Sequence, residues 1–368
     1  MRGKLITLLA RLGTGPKHRS PVLEHARMQQ DGAVEIHGDG FSLRYQDPAE
    51  PLPGGLVPLR WLATMGKQAG RGSASFEAVP GSKRIAARVK TSTYGVETSP
   101  CGDDFPAVSV PPDGELVTLS AADWTKGGGV AQAAAFASTD ETRPHLYGVY
   151  LGIEIAATNG HTLTRREAVA FMPALSGVLP LPAVQAMLKL VAETCPAELC
   201  AHIDPVGYDR RAITFTARAA HGVCWRLTSQ LVQGFPDMAE LNRVQSDAQD
   251  GDGTMVEVDA ADLRELWLPL RNTRITELAV YRDGTMLCWG DGEDGIGTTL
   301  DAMPTEKPAF VLGMATLPLV AKRLPKAGRV AVRASGHACT IAGEVFMQMR
   351  HESLPDYVSQ ALAATFAA

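Results

Sequence analysis

The sequence contains no Cys-x-x-Cys pair. Its six cysteines, Cys101, Cys195, Cys200, Cys224, Cys288 and Cys339, are scattered. Cys195 and Cys200 lie too far apart for that motif, and neither has a histidine or cysteine partner at zinc-finger spacing. They read as reduced, mostly buried thiols of a cytosolic protein, and no metal or other cofactor is expected. No uninterrupted apolar run approaches the ~20 residues of a membrane-spanning helix. The stretch Met1 to Leu12 is short, basic and amphipathic, without the apolar core or small-residue cleavage site of a secretory signal. These absences predict a cytoplasmic protein with no membrane partner. An excess of positive charge is missing too: 35 Lys and Arg against 40 Asp and Glu leave a net charge of −5. The whole chain therefore does not advertise nucleic acid, although a basic surface inside an acidic body can still hold it.

What is present is ordinary globular material, 45% hydrophobic and 20% charged. A length of 368 residues predicts two or three domains, each able to bury its own core. Three features then recur in one order. The first is strand, tight turn, strand: ARMQQDGAVEIHGDGFSLRY at 26–45, LYGVYLGIEIAATNGHTLTR at 146–165 and LAVYRDGTMLCWGDGEDGIG at 278–297. Asp39-Gly40, Asn159-Gly160 and Asp291-Gly292 mark equivalent turns. The second is an apolar strand running into a helix, at 54–68, 176–191 and 309–324, with a proline or polar residue at the helix start. The third is a pair of alternating strands ending in a proline corner, at 84–106, 212–236 and 329–355.

Two copies also share an opening, LSAADW at 119–124 and VDAADL at 258–263, with Ser120 or Asp259 expected to cap a helix. The reading is an α+β chain of three related domains, 1–113, 114–250 and 251–368. Each holds two helices and antiparallel sheets, and the polar segments Pro111–Glu115 and Ser246–Gly253 act as linkers. Related domains with helices on one face and sheets on the other can form a closed wall. Ring closure then requires the first and third domains to complement each other.

The middle copy carries a family resemblance. STDETRPHLYGVYLGIEIAATNGHTLTRRE at 138–167 resembles the bacterial sliding clamp, the β subunit of DNA polymerase III. The matching residues are Glu141, Arg143, Leu146 and Gly148, then Ala157 through Leu163. TSQLVQGFPDM at 228–238 is similar to a second family motif, and Met347, Gln348, Met349 and Arg350 to its C-terminal Met-Pro-Met-Arg. The match is sharpest in the middle domain and weakest in the first. The resemblance implies three domains of one topology and two subunits closed head to tail into a ring. It implies a non-enzymatic processivity factor that encircles duplex DNA without reading sequence. An ATP-driven clamp loader would open it, and a groove on each subunit would hold the replicative DNA polymerase and other partners by their peptides.

Carried over residue by residue, the groove comprises Leu146, Thr158, Gly160, His161, Thr162, Leu163, Pro236 and Leu241, facing Ile275, Met347, Gln348, Met349 and Arg350. Methionines suit a surface that adapts to several partners. Arg19 and Arg143 align with family loop residues that touch DNA, and Lys189 lies on a predicted helix near the channel. Further channel candidates are Arg2, Lys4, Arg11, Lys17, Lys67, Arg71, Arg264, Lys322 and Arg323, for each of which a solvated surface charge is the preferred reading. At the dimer interface, Tyr94 and Val96 on an edge strand are expected to meet the neighbourhood of Leu270. The sequence departs from the family at three groove positions: Thr162 and Glu240 stand where arginine is usual, and Gln348 where proline is. It also begins almost at the first helix and runs about 18 residues past Arg350, into a segment where Val358, Leu362 and Phe366 predict one apolar helical stripe. That segment either packs as a short helix on the third domain or competes for the adjacent groove.

Two other readings remain. A clamp-fold scaffold could bind peptides without forming a loadable ring. A hydrolase using His161, Asp140 and Glu141 is more remote, because those groups show no ligand or acid–base spacing. GDGEDGIG at 290–297 lacks the calcium-loop pattern and opens no helix after a strand, so it reads as an acidic hairpin end.

Overall fold

The computed structural model describes residues 1–14, 20–98, 104–106, 115–168, 175–203, 210–219, 222–237, 239–243, 246, 254–270, 275–290, 296–313, 324–335, 338–341, 344–349 and 356–367. Both expected linkers fall almost wholly outside them. By contact the chain divides into two compact units, residues 1–156 with 166–235, and residues 157–165 with 236–368.

Unit 1 opens with α1 (Gly3–Gly13), followed by β1 (His25–Met28), β2 (Ala33–His37), β3 (Ser42–Gln46), β4 (Gly55–Pro58), α2 (Leu59–Ala69), β5 (Ala74–Ala78), β6 (Arg84–Val89) and β7 (Ser92–Glu97). It continues with β8 (Glu115–Thr118), α3 (Gly129–Ala134), β9 (Gly148–Leu151), β10 (Ile155–Thr158), β11 (Thr162–Arg166), β12 (Gly177–Pro180), α4 (Leu181–Thr194), β13 (Glu198–Ile203), β14 (Arg210–Arg218) and β15 (Cys224–Val232). Most of β11, through Arg165, belongs to unit 2. Unit 2 adds β16 (Thr254–Asp259), α5 (Ala260–Leu270), β17 (Ile275–Val280), β18 (Met286–Gly290), β19 (Ile296–Thr298), β20 (Phe310–Gly313), β21 (Arg329–Ser335), β22 (Ala338–Ile341), β23 (Glu344–Met349) and α6 (Asp356–Ala367).

The described pairings are antiparallel, and they repeat. The order β4-β1-β2-β3 recurs as β20-β17-β18-β19, and β12-β9-β10 is its middle counterpart. Each copy also contains a three-strand meander: β5-β6-β7, β13-β14-β15 and β21-β22-β23. β8 pairs with β13 and β16 with β21; the first copy has the bridge Arg2–Ser73 in that place. This is the α+β architecture that the recurring motifs predict.

Local chemistry sets the element ends. Gly40 and Gly160 take φ of +68° and +90° at the expected turns, a region where a side chain is strained. Pro58 and Pro180 immediately precede α2 and α4. Ser120 Oγ accepts the Ala122 N–H at 3.3 Å, and Asp259 Oδ1 accepts the Ala261 N–H at 2.7 Å at the start of α5. Helices α1 and α2 cross closely because glycine faces backbone there. A Cβ on Gly66 would lie 2.6 Å from Thr7 N and 2.9 Å from Gly3 O. The core of unit 1 includes Trp124 edge-on to Phe215, and Trp225, whose indole donates to Thr194 Oγ1 at 3.0 Å. In unit 2, Val358 and Leu362 of α6 are fully buried against Ala279, Tyr281, Leu287, Trp289 and Val311, with Phe366 and Leu300 packed alongside. The expected C-terminal stripe therefore forms, and it rests on the β17-β18-β20 face.

Candidate peptide groove, strand edges and basic helices

The turn that carries the groove motif is organised by two side chains. Asn159 Oδ1 accepts the N–H groups of His161 and Thr162, both at 2.9 Å, and the Thr162 hydroxyl at 3.0 Å. Thr158 Oγ1 accepts the Gly160 N–H at 3.1 Å. Thr158, Thr162 and Leu163 are buried, while His161 and Gly160 are exposed. Thr162, standing where arginine is usual, is thus turned inward onto Asn159.

Pairing of β11 with β23 sets Thr162 opposite Phe346 and Leu163 opposite Val345. Met347, Gln348 and Met349 follow on the same strand, with Gln348 and Met349 paired to Leu312 and Val311 of β20. The backbone of unit 2 therefore sets the Thr162–Leu163 and Met347–Met349 stretches on neighbouring strands. Pro236 and Leu241 are half-buried, and the Leu241 N–H reaches Asp237 O at 3.0 Å. Ile275 opens β17, and Leu270 ends α5. The side chains of Leu270, Ile275, Met347, Gln348 and Met349 and all of Arg350 and Arg19 lie outside the described set. Leu146 is buried in unit 1, where its carbonyl accepts the Ser138 N–H at 3.0 Å.

Asp140 takes part in a turn. Its Oδ1 accepts the Thr142 hydroxyl at 2.6 Å and N–H at 3.0 Å, and these bonds, aided by Arg143, hold its carboxyl below the usual carboxylate range. Arg143 is exposed, 3.6 Å from Asp140. Among the described residues no cluster of three or more His, Cys, Asp or Glu is arranged to hold a metal.

The strand edges follow one rule. The last strand of the second meander, β15, adds to β3, the third strand of the first copy, from Cys224–Gln46 to Thr228–Ser42. The last strand of the third meander, β23, adds to β11, the third strand of the second copy. Among the described residues β7, the last strand of the first meander, pairs only with β6, and β19, the third strand of the third copy, pairs only with β18. Tyr94 and Val96 lie half-buried on β7, which among the described residues is paired on one side alone.

The helices differ in charge. Lys4 and Arg11 are the exposed charged residues of α1, Arg60 and Lys67 those of α2, and neither helix contains an acidic residue. None of the four makes an ion pair among the described residues. Exposed positions on α4 include Lys189 and Glu193, and on α5 Asp262 and Glu265. Arg264 is half-buried, its guanidinium 3.4 Å from Leu324 O. Sequence reading missed Arg60, although Arg60, Thr64 and Lys67 recur at helical spacing on one face.

No protein-family model and no curated protein matches the chain. Solved structures do match. A DNA polymerase III beta subunit from Thermotoga maritima has a TM-score of 0.69 at 15% identity, covering 95% of this chain and 97% of that one. A DNA polymerase sliding clamp from Pseudomonas aeruginosa, solved with ligand, has a TM-score of 0.68 at 18% identity, with coverage of 95% and 97%. A DNA polymerase III subunit beta from Bartonella birtlesii, solved bound to griselimycin, has a TM-score of 0.66 at 19% identity, with coverage of 95% and 98%. Over 95% of its length the chain has the fold of DNA polymerase III beta subunit sliding clamps.

Proposed function

We propose that the protein is a DNA sliding clamp, a non-enzymatic processivity factor whose two subunits close head to tail around duplex DNA. The strand-edge rule carries this reading. The junctions β15–β3 and β23–β11 use the same kind of edge twice within the chain. A third such junction, β7 with β19, is left to be made with a second copy, and two copies joined that way close with all six copies of the motif in one circle. The dimer contact then involves Tyr94 and Val96 of β7 and the stretch from Leu270 to β19. Domains 1–113, 114–250 and 251–368 are the three units of that circle.

The acid-free helices α1 and α2 suit a channel that slides. Their lysines and arginines attract phosphates without reading bases, and the attraction is weak enough to permit movement. The family resemblance assigns Arg19, Arg143 and Lys189 to DNA contact as well. The Asn159-ordered turn and the strand carrying Met347–Met349 form the groove for partner peptides, the polymerase's and the clamp loader's among them. The family resemblance assigns Leu146, Pro236, Leu241, Ile275 and Arg350 to the same groove. Thr162 supplies no cation there, so this groove is less electropositive than one with the usual arginine, and it favours partner peptides with less acidic flanks.

The test is sedimentation velocity across micromolar concentrations, followed by retention on nicked circular DNA after loading. The clamp reading expects twice the chain mass, and release when the circle is linearised. A monomer throughout that still binds peptide would instead favour the scaffold reading.

A further inference from the structure

The first and third hairpins superpose residue by residue in sequence, and their turns are built alike. Asp31 Oδ1 accepts the Ala33 N–H at 3.1 Å and Asp283 Oδ1 the Thr285 N–H at 2.9 Å, with Gly32 and Gly284 at φ of +80° and +89°. In this register Arg27 corresponds to Ala279, Gln29 to Tyr281, Glu35 to Leu287 and His37 to Trp289. The same face of the same hairpin is thus ionic in one copy and apolar in the other. In the first, Glu35 bonds Arg27 and Arg44, and Arg44 also bonds Gln29. In the third, Leu287 and Trp289 are buried under α6.

These positions matter because they back the third strand of each hairpin. Glu35 and His37 pair with Arg44 and Ser42 of β3, the strand that accepts β15. Leu287 and Trp289 pair with Thr298 and Ile296 of β19. β19 has three residues, and its only described pairing is to the strand that α6 covers. A strand so short has little stability of its own and depends on the packing of its template.

We infer that α6 is a brace for the subunit-joining edge: by packing on Leu287 and Trp289 it holds β18 in the form that orders β19 for pairing with β7 of a second copy. This rests on the ring reading above. Removing the brace exposes Trp289 and Leu287, frays β19, and weakens the joint between copies while leaving the β11–β23 pairing intact. The C-terminal segment thereby acts on ring closure through the sheet it covers.

The experiment compares full-length wild type with Leu362→Ala, the conservative Leu362→Met, and the milder Val358→Ala. Dimer dissociation is read by dilution in sedimentation velocity, and amide hydrogen exchange is followed at 287–298 and at 345–346. The brace predicts that Leu362→Ala dissociates at a concentration about tenfold higher or more. It also predicts faster exchange at 287–298, unchanged exchange at 345–346, and recovery of both readouts in Leu362→Met. Should Leu362→Ala fail to fold, Val358→Ala is expected to shift both readouts the same way by less. Variants that dimerise as tightly as wild type with unchanged exchange at 287–298 overturn the brace while leaving the ring. A wild type that never dimerises overturns both.

Discussion

Glu35 Oε1 lies 2.7 Å from Arg44 Nη1 across the β2–β3 pair. The carboxylate is almost fully buried, and its other oxygen is held by Arg27 at 2.5 Å. Glu35→Gln removes the charge that the two guanidiniums share and leaves Arg44 with Asp31 as its remaining carboxylate partner. Breaking a buried pair by removing one partner costs up to ~3–5 kcal/mol, and partial solvent contact of both arginines places this case near or below the low end. A fall of about 2–3 kcal/mol in urea unfolding is expected. No change would mean that the network contributes nothing net.

The close crossing of α1 and α2 gives a second expectation. A methyl on Gly66 meets backbone at Thr7 N and Gly3 O, so the helices must separate. Gly66→Ala should therefore destabilise by about 1–3 kcal/mol, although alanine is the better helix former. Gly127→Ala, with nothing within 4 Å of the new methyl, is the control and should stay within ~0.5 kcal/mol. Thermal melts of both variants check this.

Lys4, Arg11, Arg60 and Lys67 supply a third. Binding to a short linear duplex is expected to be weak, and its logarithm to fall linearly with that of salt concentration. Replacing all four by glutamine should flatten the slope by about 0.9 for each phosphate that is no longer neutralised. Arg329→Gln, which removes a cation 3.6 Å from Glu257 on unit 2, should leave the slope unchanged. Fluorescence anisotropy over a potassium chloride series measures both. An unaltered slope in the fourfold variant would mean that other side chains meet the phosphates.

Tyr281 predicts an alkaline transition. Burial, aided by Asp283, pushes its hydroxyl up to about 12 from the ordinary 10.0. Below pH 10 the group is protonated in folded and unfolded chains alike, and its contribution to stability is complete. From pH 10 to about 12 the unfolded chain releases the proton and the folded chain keeps it, so stability falls as pH rises. The hydroxyl also has no hydrogen-bond partner among the described residues. Tyr281→Phe should therefore gain up to about 1 kcal/mol at neutral pH and lose less stability above pH 10. Urea midpoints at pH 8 and 11 test both effects.

The recurring hairpins were legible because Asp-Gly and Asn-Gly turns are local chemistry, readable within a few residues. The α6 stripe was legible for the same reason, through Val358, Leu362 and Phe366. The junction of β15 with β3 was not. Leu227 and Leu43 alternate like residues of any half-buried strand, and nothing in either segment names a partner more than 180 positions away. The inward turn of Thr162 was also hidden, because a threonine reads as a substitution for arginine until Asn159 Oδ1 is seen to hold it. Arg60 escaped because a single cation after a proline carries no pattern until Lys67 is placed on the same helix face.

The two hairpins that share a register are supported by forces of different thermal origin. Apolar burial loses strength on cooling, as water comes to tolerate hydrocarbon surface. The penalty for desolvating an ion pair is greatest in the cold and shrinks on heating. Leu287 and Trp289 under α6 thus give β19 a support that weakens toward freezing, and Glu35 between its arginines gives β3 one that costs most at the same end. Cooling therefore acts against both third strands. On heating the two diverge, because apolar support levels off while the cost of burying the ions continues to fall.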